Sequence, residues 1–296
     1  MMTSVDFNLF LHQIRIQIDN RLSILVPEHP ETEYFRLFNA ARYSLLGEGK
    51  RLRPILTLLT AETFGATSEQ ALNSACALEM IHCYSLIHDD LPCMDDDDYR
   101  RGRLSLHKAF DEGHAVLAAD YLLTDAFGVI ANDPALTPTQ KISLISLLAN
   151  NAGSGGMISG QILDIEGEGK QLTLDQLNQI HRYKTGALIT TAIEFGGIIA
   201  CASKVEMDVL NRFGSALGLA FQIIDDVLDV TASEDKHGKK ISSDIVNQKV
   251  TYVSLLGLEA SRQKALELLK EGCSLLASLD RDTKLLQELA QYIVDR

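Results

Sequence analysis

"SEQALNSACALEMIHCYSLIHDDLPCMDDDD", residues 68–98, runs apolar from Ala71 to Ile87 and then turns abruptly acidic. The apolar part has no alternating pattern and no Gly or Pro, so it predicts a long helix with Ser68 as its N-cap. Apolar side chains around most of its circumference make it a central helix of a bundle. Pro92 stops it just after Asp89 and Asp90. Asp95 follows Asp89 by six residues, about 120° around an ideal helix, so the two cannot converge while the helix stays regular. The "LPCM" insertion must loop the chain back to bring them together. Six aspartates within residues 89–98 repel one another unless a cation answers them. Asp89 and Asp95 are the candidates for binding it, Asp90 a supporting acid, and Asp96 to Asp98 as readily solvated surface.

The rest of the 296 residues continues the helical theme. "VDFNLFLHQIRIQIDNRLSIL" spaces Phe7, Phe10, Leu11, Ile14, Ile18 and Leu22 by threes and fours. "PILTLLTAETFG" starts on Pro54 and stops at Gly65. "SRQKALELLKEGCSLLASL" carries Leu266, Leu269, Cys273 and Leu276 on one stripe. "NAGSGGMISG" and "EGEGKQ" read as a helix interruption and a loop. No repeat or linker divides the chain and no strand stands out, so the expectation is all-α, a single large helical bundle over residues 1–296. Net charge is −13, which excludes a nucleic-acid binder needing a basic footprint. Five cysteines with no CxxC pair read as reduced thiols of a cytoplasmic protein. The N-terminus lacks a signal-peptide layout. "GALITTAIEFGGIIACAS", residues 186–203, has Glu194 at its middle and reads as a core helix, so no transmembrane segment is expected.

"FQIIDDVLDV", residues 221–230, is the second acidic motif. Asp225 and Asp229 are four apart and lie within about 40° on a helix, with Gln222 and Asp226 on the same face. Their neighbours Ile223, Ile224, Val227, Leu228 and Val230 are apolar. A solvated acidic face is the weaker reading, since desolvated like charges cost several kcal/mol, roughly, unless a cation answers them. Aspartate oxygens suit Mg²⁺, which binds through one or two carboxylates plus substrate phosphates. Two such motifs facing each other would bridge several Mg²⁺ to one diphosphate.

Basic residues match them. "GEGKRLRP", residues 47–54, sets Lys50, Arg51 and Arg53 at a helix N-terminus, where free N–H groups and the helix dipole favour an anion. Arg100 and Arg101 follow the aspartates and suit bidentate phosphate binding. Lys184 in "RYKTGAL" and Lys239 in "HGKK" add two cations. His82, seven residues before Asp89, shares nearly the same helical face; alone it would read as a core residue. Acids for Mg²⁺, bases for phosphate and an apolar bundle imply a substrate with a hydrocarbon tail and a diphosphate head.

In this arrangement the sequence resembles the trans-isoprenyl diphosphate synthases, and within them the bacterial short-chain type that makes C15 farnesyl diphosphate. "GEGKRLRP", "EMIHCYSLIHDDLPCMDDDDYRRG", "GGMISGQILD", "YKTGALI", "FQIIDDVLD", "GKK" and "DIVNQKVTY" occur in that family's order and spacing across nearly the whole chain. The resemblance implies two Mg²⁺ on Asp89 and Asp95 and a third on Asp225, supported by Asp90, Asp226 and Asp229. It implies that Arg100, Lys184, Lys239 and Lys249 hold an allylic diphosphate, dimethylallyl or geranyl. It gives Lys50, Arg53, His82 and Arg101 to isopentenyl diphosphate, with Phe221 near that substrate's carbon chain. Thr185 and Gln222 would sit near the developing carbocation, and Tyr84, with the small Ser85 beside it, would form the floor that limits chain length. A homodimer is also implied.

The chain departs from the family pattern in "GEGK", at Leu104–Ser105 within "RGRLSLH", and at Lys240–Ser243 within "KKISSD"; none of these removes a ligand. A C10 or C20 synthase is the alternative on product length. A terpene cyclase would carry Asn or Asp, Ser or Thr, and Glu as ligands in place of "DDVLD". A silent subunit should have lost metal ligands. A non-catalytic cation-binding or scaffold protein leaves the basic set unexplained.

Overall fold

The structure is a computed structural model that describes residues 4–234 and 249–295. Its chain divides into two compact units, Met1–Leu58 with Thr67–Ile145, and Leu59–Ala66 with Ser146–Arg296. Nearly every described element is a helix, as the spacing predicts.

In the first unit the central element is α4 (Ser68–Asp89), packed on α1 (Ser4–Leu25), α2 (Phe35–Leu45) and α6 (Glu112–Ala131). Thr67, not Ser68, is its N-cap: the Thr67 hydroxyl accepts from the Gln70 N–H while the Gln70 side chain accepts from the Thr67 N–H. A Thr-x-x-Gln capping box satisfies two backbone donors reciprocally, which the serine one residue later cannot do. Leu72, Leu78, Met80, Ile81 and Ile87 are buried on α4, and Phe7, Leu11, Ile18 and Leu22 are buried on α1. After α4 comes a hairpin that the sequence pattern did not announce. Strand β1 (Tyr99–Arg100) pairs antiparallel with β2 (Arg103–Leu104), and Arg101 and Gly102 between them have φ of 53° and 77°. Two positive φ values in a two-residue loop make a type I′ turn, which suits the twist of paired strands. Short α5 (Leu106–Ala109) leads into α6.

Helix α3 (Leu52–Thr63) begins in the first unit and α7 (Pro138–Ala152) ends in the second. The second unit then holds α8 (Met157–Gly167), α9 (Leu174–His181), a π-helical turn (Arg182–Gly186), α10 (Ala187–Ile199) and α11 (Lys204–Glu234). Helices α12 (Tyr252–Leu256), α13 (Leu258–Ala277) and α14 (Lys284–Val294) complete it. Helix α10, the segment tested above for membrane spanning, is buried over most of its length, with Ile189, Ile193, Phe195 and Ile199 in the core. It runs against α11 because Gly214 and Gly218 have no side chain: a Cβ on Gly214 would lie 2.8 Å from Thr190 Cα, and one on Gly218 2.7 Å from Gly186 Cα. On α13, Leu269 and Leu276 are buried but Leu266 is 44 % exposed, so the stripe read from the sequence is narrower than expected. Among the described residues one helix, α6, is long and apolar enough to cross a membrane.

Candidate active site

The loop after α4 does what its composition requires. The Leu91 N–H bonds to the His88 carbonyl at 3.1 Å and the Met94 N–H to the Leu91 carbonyl at 2.8 Å. The Asp95 N–H then reaches back to the Asp89 carbonyl at 2.9 Å, closing a ring around Pro92 and Cys93. Asp89 and Asp95, six residues apart, thus sit on one closed loop and are both half-buried.

Asp90 points the other way. It is 3 % exposed and accepts from Arg100 Nε at 2.8 Å, while Arg100 also pairs with Asp97 at 3.1 Å. Burial pushes the Asp90 carboxyl upward, and the Arg100 bonds only partly offset this. Asp98 meets Lys108 at 3.0 Å, and Asp96 is exposed in a left-handed conformation. The aspartate run therefore divides: Asp90 and Asp97 hold Arg100, and Asp98 holds Lys108.

The basic set of the first unit is organised by a residue that the sequence did not distinguish from its neighbours. Arg51 is 3 % exposed, with φ of 51°. Its guanidinium donates to Asp19 at 2.8 Å, to buried Glu79 at 2.9 Å, and to the carbonyls of Leu45 and Gly47 at 2.8 and 2.9 Å. Desolvation opposes its charge, and Glu79 and Asp19 more than offset that, so its pKa is raised. Arg51 fixes the "GEGKRLRP" loop, with Lys50 and Arg53 on either side of it at the start of α3. Gly49 lets that loop approach the hairpin tip: a Cβ there would lie 2.9 Å from Arg101 Nη1. A cavity of about 50 Å³ lies beside Cys83, Asp90, Arg100 and Arg101. Half-buried His82 lies in the same positive field. Desolvation, then the charges of Arg53 and Arg101, pull its pKa well below the usual imidazole range. Leu104 ends the hairpin and Ser105 is the N-cap of α5, with its N–H bonded to the Asp98 carbonyl at 3.0 Å. Tyr84 is buried, and among the described residues its hydroxyl has no hydrogen-bond partner. Ser85 Oγ donates to the His82 carbonyl at 2.9 Å.

In the second unit the π turn carries Lys184 and Thr185. A π turn inserts one extra residue into a helix and re-aims the side chains that follow. This one is pressed against α8 at Gly160, where a Cβ would fall 2.1 Å from the Lys184 backbone N. Lys184 Nζ donates to Asp164 Oδ2 at 2.6 Å, and Lys249 Nζ reaches the same oxygen at 3.3 Å and Glu168 at 3.8 Å. Burial alone would raise the Asp164 pKa; the two ammonium groups more than offset it and hold the carboxyl below the usual range. Thr185 Oγ1 donates to Gln222 Oε1 at 2.8 Å, so these two side chains meet. Gln222 Nε2 donates in turn to Asp226 at 3.4 Å.

Asp226 is buried and accepts the Tyr252 N–H at 2.8 Å, with His181 Nε2 within 3.4 Å. Asp225 is half-buried and Asp229 exposed, so the acidic face of α11 runs from its buried member outward. Phe221 is half-buried on the same helix. A cavity of about 110 Å³ is lined by Asp164, Lys184, Thr185, Gln222, Asp226 and Lys249, among others. Lys239 and Lys240–Ser243 lie outside the described residues. Two residues that the sequence reading left unassigned, Arg51 and Asp164, thus hold the residues it did assign. The glycine of "SGQILD" marks only the close backbone approach at Gly160; it does not mark Asp164 itself.

Known proteins resemble this chain over nearly its whole length. The farnesyl diphosphate synthase of Micrococcus luteus is 50 % identical over 274 residues, 93 % of each chain. The crystal structure of an FPP/GFPP synthase from Zymomonas mobilis aligns with a TM-score of 0.89 at 36 % identity, covering 99 % of this chain and 100 % of that one. The geranyltransferase of Helicobacter pylori, solved with magnesium and isoprenyl diphosphate, aligns at 0.84 and 33 % identity, covering 100 % and 98 %. Residues 36–289 match the family described as Polyprenyl synthetase, and the chain belongs to that family.

Proposed function

We propose that the protein is a Mg²⁺-dependent prenyltransferase that condenses isopentenyl diphosphate with dimethylallyl or geranyl diphosphate to give farnesyl diphosphate and diphosphate. The observation that carries the reading is the Asp95 N–H bonded to the Asp89 carbonyl, which closes one loop around both residues and supports their assignment as ligands. Mg²⁺ takes one or two carboxylates and completes its shell with water and substrate phosphate, which suits the Asp89–Asp95 loop. Asp89 and Asp95 would hold two ions and Asp225 a third. Bound Mg²⁺ supplies charge neutralisation for the leaving diphosphate.

The chain's own residues do the rest. Lys184, Lys249, Arg100 and Lys239 hold oxygens of the allylic diphosphate, so negative charge building on them as the C–O bond breaks meets positive charge. The Thr185 hydroxyl has its proton engaged by Gln222, so its lone pairs are left to face the allylic cation. The Lys184 carbonyl in the π turn is a second such dipole. Lys50, Arg53, Arg101 and neutral His82 hold isopentenyl diphosphate, beside Phe221, while its double bond attacks C1 of the allylic cation. A C–C bond forms, C2 of the isopentenyl unit loses a proton to the released diphosphate, and no protein base is needed. Tyr84 closes the tail pocket at C15. A cytoplasmic homodimer that binds no nucleic acid belongs to the same reading; net charge supports the last part.

Incubation with Mg²⁺, isopentenyl diphosphate and either allylic diphosphate should give a C15 product by chain-length analysis. Folded protein that forms no condensation product would refute the proposal. Asp225→Ala should abolish turnover and leave the fold intact; near-normal rates would remove Asp225 from the metal set.

A further inference from the structure

We propose that Asp164 is a positioning residue: it gathers Lys184 and Lys249 onto one carboxylate oxygen so that both ammonium groups already stand together when the allylic diphosphate arrives. The inference rests on the condensation reaction proposed above. Lys184 and Lys249 come from distant parts of the chain, 20 and 85 residues after Asp164. Both Nζ atoms lie on Oδ2, at 2.6 and 3.3 Å, so by the triangle inequality they are at most 5.9 Å apart. Two ammonium groups that close repel, and without an anion between them long, flexible lysine side chains would swing apart.

The placement is built into α8. Gly160 and Asp164 are four apart and share one face of α8, and Glu168 caps its C-terminus. Gly160 admits the π turn to backbone contact, Asp164 meets Lys184 one turn later, and Glu168 comes within 3.8 Å of Lys249. Asp164 and both lysines are largely buried, with side-chain exposures of 19 %, 25 % and 15 %. An ammonium group has three donors, so each lysine can keep Asp164 and still bond a phosphate oxygen. Asp164 can therefore act through the lysines without itself binding substrate.

Asp164→Asn keeps the shape and removes the charge. Steady-state kinetics should show KM for the allylic diphosphate rising about tenfold, the scale of one lost charge-assisted bond. KM for isopentenyl diphosphate should stay at the wild-type value, and inorganic pyrophosphate should bind the folded variant correspondingly more weakly by calorimetry. A merely structural role would lower the folded fraction, and with it kcat, without separating the two KM values. Both KM values and the pyrophosphate affinity at wild-type level would overturn the inference, whatever happens to kcat. If Asp164→Asn does not fold, Asp164→Glu is measured in its place, since one extra methylene displaces the oxygen. A rise confined to the allylic KM supports the inference, and two unchanged KM values overturn it. Absence of condensation by the wild-type chain would instead count against the proposed reaction.

Discussion

Arg51→Met tests whether the basic loop is held by a buried charge. The methionine keeps much of the aliphatic stem, so the loss falls on four guanidinium bonds, to Asp19, Glu79 and the carbonyls of Leu45 and Gly47. Asp19 has about half its side chain in water and can rehydrate; Glu79, with 3 % of its side chain exposed, cannot. Breaking a buried pair by removing one partner costs about 3–5 kcal/mol, because it strands the other charge. At about 2–4 °C per kcal/mol for a chain of this size, Tm should fall by on the order of 10 °C. Thermal unfolding followed by circular dichroism measures it. Adding Glu79→Gln should recover part of the loss, because the stranded charge is gone, and the two changes together should cost less than the sum of each alone. Arg51 also sets the loop that carries Lys50 and Arg53, so KM for isopentenyl diphosphate should rise more than KM for the allylic substrate. A drop in Tm of only a degree or two, with additive effects in the double variant, would refute the idea that this ion pair organises the loop.

Gly160→Ala would drive a methyl group into the backbone of the π turn. Overpacking of this kind costs roughly 1–3 kcal/mol, so both Tm and allylic affinity should fall; a neutral result in melting and kinetics would mean that α8 and the turn are not in contact. Burial, then the charge of Arg53, holds the folded pKa of His82 well below the usual imidazole range. Below about pH 6.5 the unfolded chain takes up a proton that the folded chain refuses, so the contribution of neutral His82 to stability is complete above that pH and is lost as pH falls below it. His82→Gln should flatten the acid side of the stability profile between pH 5 and 6.5, and equal slopes in urea titrations would contradict this. Tyr84→Ala should shift products beyond C15 in chain-length analysis, and an unchanged product spectrum would exclude Tyr84 as the floor.

The parts of the molecule legible in the sequence are those whose signal repeats. Helices α1, α4 and α10 show themselves because apolar spacing accumulates over several turns. The hairpin at residues 99–104 escapes because two residues per strand allow no alternation, and its one mark is Arg101-Gly102 at the tip. The π turn escapes for the same reason: one inserted residue leaves the surrounding helical period almost unchanged. Asp89, Asp95 and Asp225 can be singled out because like charges crowd there. Arg51 and Asp164 could not be, because what distinguishes each is its partners: Asp19 and Glu79, 32 and 28 residues from Arg51, and Lys249, 85 residues from Asp164.

The doubled aspartates gain a physical account from the same geometry. Adjacent residues on a helix point about 100° apart, so Asp89-Asp90 and Asp225-Asp226 cannot put both carboxylates to one use. In each pair the second member is buried and binds the chain as it returns: Asp90 takes Arg100, beyond the acidic loop, and Asp226 takes the Tyr252 N–H, three residues after Lys249. Both returning segments carry a cation assigned to the allylic diphosphate. The first member of each pair, half-buried on the other side, is the one assigned to Mg²⁺. Each doublet therefore couples a metal-ligand candidate to an anchor for a phosphate-binding cation. An asparagine at Asp90 or Asp226 should act through the position of that cation, weakening allylic diphosphate binding rather than removing a metal ligand.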